Sequence, residues 1–122
     1  MDRPRRWRVI YYETARGACP VEEFLENLER RDRAKVMAMV NLLEEEGSNL
    51  RRPYADYLRG GIYELRARVG HARYRILYFF CLGTNIVLTH AITKKSERVP
   101  EEAIERALRC RQDWLRRQLE DA

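Results

Sequence analysis

Between Ile62 and Lys95 the polarity pattern changes from helical spacing to the period of two that marks strands. Ile62 to Arg68 alternates apolar and polar residues, and so does Arg73 to Phe80. Val69-Gly70-His71-Ala72 lies between them with a glycine where a hairpin must reverse. A second turn at Leu82-Gly83-Thr84-Asn85 leads into Ile86 to Ile92, rich in the β-branched residues that strands favour. Three antiparallel strands are predicted, followed at once by the polar run Thr93-Lys94-Lys95-Ser96-Glu97-Arg98.

Upstream, Trp7 to Tyr12 is a short β-prone run, and Pro20 suits the first turn of a helix. Val21, Phe24, Leu25 and Leu28 recur at i, i+3, i+4 and i+7, an amphipathic helix. Asp32 offers an N-cap for a second helix over Arg33 to Glu46, which stops at Gly47. Ser48 to Gly61 is polar and expected to be an irregular connection. Pro100 opens a last helix, with Glu101 and Glu102 suiting its positive dipole end, and it runs to about Gln118. The predicted order β-α-α-β-β-β-α is an α+β fold: a small, mainly antiparallel sheet, a two-helix hairpin packed on one face, and a C-terminal helix. One domain over residues 1–122 is expected, long enough to bury a core without staples.

No apolar run approaches the roughly 20 residues of a membrane span. The basic N-terminus lacks the apolar centre of a signal peptide. Cys19, Cys81 and Cys110 stand far apart with no metal-ligand spacing, so free thiols in a reducing cytoplasm are expected, with no metal, cofactor or membrane contact.

Net charge is +5, and its distribution is uneven. Residues 51–98 hold ten Lys or Arg against three Asp or Glu, whereas residues 17–50 hold four against eight. Alternation places Tyr63, Leu65 and Ala67 on one strand face with Tyr74, Ile76, Tyr78 and Phe80. A one-residue slip would put that whole set in water, so the register is constrained. Arg66, Arg68, Arg73 and Arg75 must then gather on the other face with Glu64, and Lys94 and Lys95 follow at its rim. Arg59, before the hairpin, and His71, in its turn, lie near enough to join. That face is a candidate site for a phosphate backbone. An aromatic to stack on a base has to come from the connection, from Tyr54 or Tyr57.

Tyr63-Glu64-Leu65-Arg66, Tyr74-Arg75-Ile76-Leu77-Tyr78-Phe79 and Thr93-Lys94-Lys95, followed by Val99-Pro100-Glu101-Glu102-Ala103-Ile104, resemble the HigB-like (phage-derived Gp49-like) branch of the RelE/ParE toxin superfamily. The resemblance implies the toxin of a type II toxin–antitoxin system, a metal-independent endoribonuclease that cuts mRNA on the ribosome. It also implies a cognate antitoxin, for this branch a helix-turn-helix DNA-binding protein. Residue by residue, Arg75 takes the place of the strand arginine at the scissile phosphate. Arg66 stands where RelE-type enzymes place a functional lysine, and Lys95 where they have a basic residue near the end of the last strand. With the strand-face reading beside the resemblance, the candidate catalytic residues are Arg75, Arg66, Lys95 and Glu64, and the candidate RNA-binding residues are Arg68, Arg73, Lys94, Arg59 and His71. Two positions depart from the RelE pattern: Glu64 is an acid where a lysine is usual, and Pro100 stands where RelE has a catalytic tyrosine. The rival readings are a ParE-like gyrase poison and an RNA-binding protein without chemistry. Either histidine, His71 or His90, is expected to titrate near neutrality.

Overall fold

The computed structural model describes residues 7–94 and 98–121. The chain forms β1 (Arg8–Tyr11), α1 (Pro20–Glu26), α2 (Arg30–Glu46), a single 3-10 turn (Gly47–Asn49), β2 (Ala55–Arg59), β3 (Ile62–Val69), β4 (Ala72–Cys81), β5 (Asn85–Thr93) and α3 (Glu101–Glu120). Five strands make one sheet in the order β1-β5-β4-β3-β2; β1 runs parallel to β5 and every other pair is antiparallel. The architecture is α+β, as the periodicities predict. Among the described residues no helix is long and apolar enough to cross a membrane.

The connection Ser48 to Gly61 is not irregular throughout: it contains β2, which pairs with β3 at the sheet edge. Alternation failed to reveal it for two reasons. An edge strand is half solvated, and here only Ala55 is buried. The register also shifts between Tyr57 and Arg59, which breaks the period of two. The other revision is the start of α2. It begins at Arg30, and Asp32 is not its cap but a first-turn residue whose carboxylate accepts the hydroxyl of Tyr74. Arg33 instead reaches back to the end of α1, donating to the Leu25 carbonyl at 2.8 Å and so fixing the corner between the helices.

The sheet is covered on both faces. On one, Leu65, Ile76, Tyr78, Ile86 and Leu88 pack against Val21 and Leu25 of α1 and Val36, Met39, Val40 and Leu43 of α2. On the other, Ile62, Leu77, Phe79 and Val87 pack against Ala103, Ile104, Ala107 and Trp114 of α3. The unbroken apolar run Ile76-Leu77-Tyr78-Phe79 has this cause, because a strand covered on both sides has no polar face. Tyr12 ties β1 to α3: its hydroxyl donates to Asp113 at 2.6 Å, and the Arg117 guanidinium lies 5.4 Å from its ring centre. The edge strand β1 is guarded by α2, whose Glu44 accepts the Val9 amide at 3.0 Å.

Opposite Leu77, β5 carries a bulge. Leu77 pairs with His90 and Tyr78 with Leu88, so Thr89 is the extra residue. The Thr89 hydroxyl donates to the Leu77 carbonyl at 3.1 Å. With that proton committed, His90 Nδ1–H must be the donor in its 3.1 Å contact with Thr89, leaving Nε2 as a buried atom without a partner. A proton on Nε2 would place an unpaired charge in the core. Burial, and after it Arg106 and Arg109, therefore push the His90 pKa down to about 4. His90 is neutral at pH 7 and does not titrate near neutrality.

Two predictions follow from the core. His90 is depressed in the folded chain and ordinary in the unfolded one, so its stabilisation is complete above about pH 6.5 and is lost as pH falls toward 4. The loss is on the order of 3 kcal/mol, and urea unfolding across that window should show His90→Gln with a correspondingly flatter profile. Gly47 ends α2 at φ +55°, ψ −125°, and an added Cβ would lie inside the Trp7 ring. Gly47→Ala should therefore cost at least about 2 kcal/mol in the same assay, well above Gly70→Ala at the β3–β4 turn, where a Cβ meets nothing within 4 Å.

Candidate nucleic-acid interface

The β3–β4 hairpin turns through Gly70-His71, with Gly70 at φ +58° as the first central residue of a type II′ turn requires. That turn sets a register in which Arg66 faces Arg75 and Arg68 faces Arg73. Four guanidinium groups therefore leave the same face of two adjacent strands, at the end of the sheet that α3 does not cover. Like charges directly opposite one another repel, so the arrangement needs acids beneath it.

Glu64 is the main one. It sits two residues before Arg66 and is only 3% exposed. Its Oε1 accepts Arg66 Nε at 2.9 Å, and its Oε2 lies 3.4 Å from Arg75 Nε. That second contact is within ion-pairing range but is not aligned as a hydrogen bond, and both of its atoms are buried without another partner. Arg75 also donates from Nη1 to the Tyr74 carbonyl at 3.1 Å. Burial is the main influence lowering the Arg75 pKa; Glu64 opposes it, while Arg66 and Arg73 add to it. Asp56 of β2, paired in register with Glu64, takes Arg66 Nη2 at 3.3 Å and Arg52 Nε at 2.9 Å. Among the described residues no acid reaches Arg68 or Arg73.

These side chains open onto a groove of about 420 Å³ along the edge of β3 that β2 leaves unpaired. Its walls are Arg66, Arg68, Arg73 and Arg75 on one side, with Lys35 and Met39 of α2 and the Pro53-Tyr54 segment on the other. Lys35 was not among the sequence candidates. It precedes buried Val36 and lies one turn before Met39, so it flanks the seam between helix and sheet, a placement that the periodicity of α2 contains.

The remaining candidates are placed as follows. His71 is exposed at the hairpin tip, beside the Arg68–Arg73 pair. Arg59 opposes Ile62, four residues along β3 from Arg66, and is paired with Glu101 at the start of α3. Lys94 is buried rather than at a solvated rim, and its amide extends the ladder by donating to the Arg73 carbonyl at 2.7 Å. Lys95 lies outside the described residues. Glu64 lies beneath the arginines and does not line the groove. Pro100 is the N-cap residue of α3. Among the described residues no three His, Cys, Asp or Glu side chains gather as a metal ion would need.

The fold and this face define an α+β domain whose exposed sheet end is an arginine cluster built over a buried carboxylate. A family profile described as phage derived protein Gp49-like (DUF891) matches residues 23–112, from α1 through most of α3. The chain belongs to this Gp49-like family. Among solved structures it is similar to a chain of the crystal structure of the archaeal RelE–RelB complex from Pyrococcus horikoshii OT3, at 20% identity and a TM-score of 0.49, covering 72% of this chain and 94% of that one. No curated protein matches the chain.

Removing one partner of a buried ion pair leaves the other charged and unsatisfied, so Glu64→Ala should destabilise the fold by about 3 kcal/mol or more. Arg68→Ala breaks no described ion pair and should stay within about 0.5 kcal/mol of wild type. Urea unfolding of the two variants checks both values.

Proposed function

We propose that this chain is the toxin of a type II toxin–antitoxin module and an endoribonuclease that cuts mRNA on the ribosome. The observation that carries the reading is the convergence of Arg66, Arg68, Arg73 and Arg75 on one open groove, two of them fixed from below by Glu64. The reaction is transesterification. The 2′-oxygen attacks the adjacent phosphorus, the bond from phosphorus to the 5′-oxygen breaks, and the products are a 2′,3′-cyclic phosphate and a 5′-hydroxyl. Negative charge builds on the phosphorane oxygens along the way. Arginines already held in place stabilise that charge without reorganising when the reaction occurs.

In this scheme Arg75, the most buried of the four guanidiniums, faces the scissile phosphate with Arg66. Arg68 and Arg73, which meet no described acid, grip the flanking phosphates and set the register of the strand. Glu64 is a positioning residue rather than the base, since both its oxygens face arginines. Lys95 is assigned to protonate the departing 5′-oxygen. The partner is a cognate antitoxin of the helix-turn-helix type, whose acidic segments neutralise the same groove. The chain is expected to work in the cytoplasm, where ribosomes and mRNA are.

One observation favours a second reading, RNA binding without cleavage: none of the described residues lining the groove is a carboxylate or a histidine, the usual bases. Primer extension on a defined mRNA in a translating extract separates the two. Wild type should cut within codons, and Arg75→Ala should cut at least about 100-fold less. Arg73→Ala, which disturbs no described ion pair, serves as the control for folding and should cut several-fold less. Intact mRNA together with retained RNA binding would establish the second reading. Intact mRNA with inhibited gyrase supercoiling would replace both with a ParE-like poison.

A further inference from the structure

We propose that Tyr54 is the platform on which a base of single-stranded RNA stacks, beside the phosphate held by the arginine groove. The inference rests on the reading of that groove as an RNA site, and adds the residue that takes a nucleobase there.

Two tyrosines in the segment before β3 are exposed, Tyr54 at 48% and Tyr57 at 52%. The structure distinguishes them. Tyr57 packs edge-on against Tyr63 at 5.0 Å between ring centres, and its hydroxyl accepts the Gly61 amide at 3.1 Å. It lines a neighbouring hollow that none of the four clustered arginines reaches. Tyr54 makes no described ring pair, and its hydroxyl meets no partner among the described residues. It lines the arginine groove itself.

The backbone of Tyr54 is held at both ends. Its amide donates to the Arg51 carbonyl at 2.9 Å, and its carbonyl accepts the Arg66 amide at 2.8 Å. The ring is thus tied to the strand residue that carries one of the proposed catalytic guanidiniums. A groove of about 420 Å³ is within the range of sites that enclose a small ligand, enough for one nucleotide. Stacking needs a base turned out of its helix, which selects a single strand over a duplex. The charge of the groove is complementary to the backbone on one side of that nucleotide, and the aromatic wall complements the base on the other.

The test is binding of a fully 2′-O-methylated RNA decamer, which cannot be cleaved, with 2-aminopurine placed at each position in turn. Wild type should bind in low salt and quench the fluorescence at one position. Tyr54→Ala should weaken binding about 5- to 100-fold and abolish that quench. The slope of affinity against salt should stay unchanged, because stacking releases no counterions. Tyr54→Phe should behave as wild type. Arg68→Ala should do the opposite of Tyr54→Ala, lowering the salt slope by about 0.7 while keeping the quench. If wild type binds with the arginine-dependent slope but Tyr54→Ala keeps both affinity and quench, the platform is wrong and the RNA site stands. If wild type shows no binding in low salt, the RNA reading of the groove fails and the platform with it.

Discussion

A buried carboxylate under a set of arginines is the interaction on which the candidate site depends. Arg66 and Arg75 face one another across a strand pair, where two cations would otherwise repel. Glu64 lies between them, and Asp56 takes Arg66 as well, so repulsion becomes an ion cluster. Such a cluster has little intrinsic stability advantage over an apolar core, because removing the charges from water is costly. Its effect is geometric: it holds two guanidiniums in fixed directions on a rigid sheet.

The sheet surface that carries these groups is shared. α3 covers Ile62, Leu77, Phe79 and Val87 and stops short of the arginine end. The same strand face is therefore core at one end and solvated at the other. Tyr12, Asp113 and Arg117 anchor the far half of α3 to the residue after β1. The bulge at Thr89 serves the core half, turning His90 beneath the helix and holding it neutral. Among the described residues the open half has no histidine in its walls, and its charged side chains are the four arginines and Lys35.

The second wall of the groove comes from elements that the strand pattern does not describe. Lys35 and Met39 belong to α2, and Tyr54 to the segment before β2. Their nearness to the arginines follows from β2 beginning only at Ala55, opposite Leu65; the Tyr54 carbonyl still takes the Arg66 amide, and the edge of β3 is open from Ala67 onward. A longer β2 would have closed the groove by pairing that edge.

Much of this was legible in the residues alone. Period-two alternation in Ile62 to Phe80 determined which face holds Arg66, Arg68, Arg73 and Arg75, because only one register keeps Leu65, Ile76 and Tyr78 out of water. Helical spacing located α1 and α3, and the family motifs marked Glu64 and Arg75. The sequence did not disclose β2, whose solvated edge and shifted register leave no clean period, nor the start of α2, where Asp32 resembles a cap but serves Tyr74. Burial of Glu64 and Lys94 was equally hidden, since a charged residue gives no local sign that other elements will close over it. Local pattern determined the faces, because side-chain direction follows from backbone period. Only the tertiary structure decided which charges are sealed and which stay open, because that depends on where a helix and an edge strand, distant in sequence, come to an end.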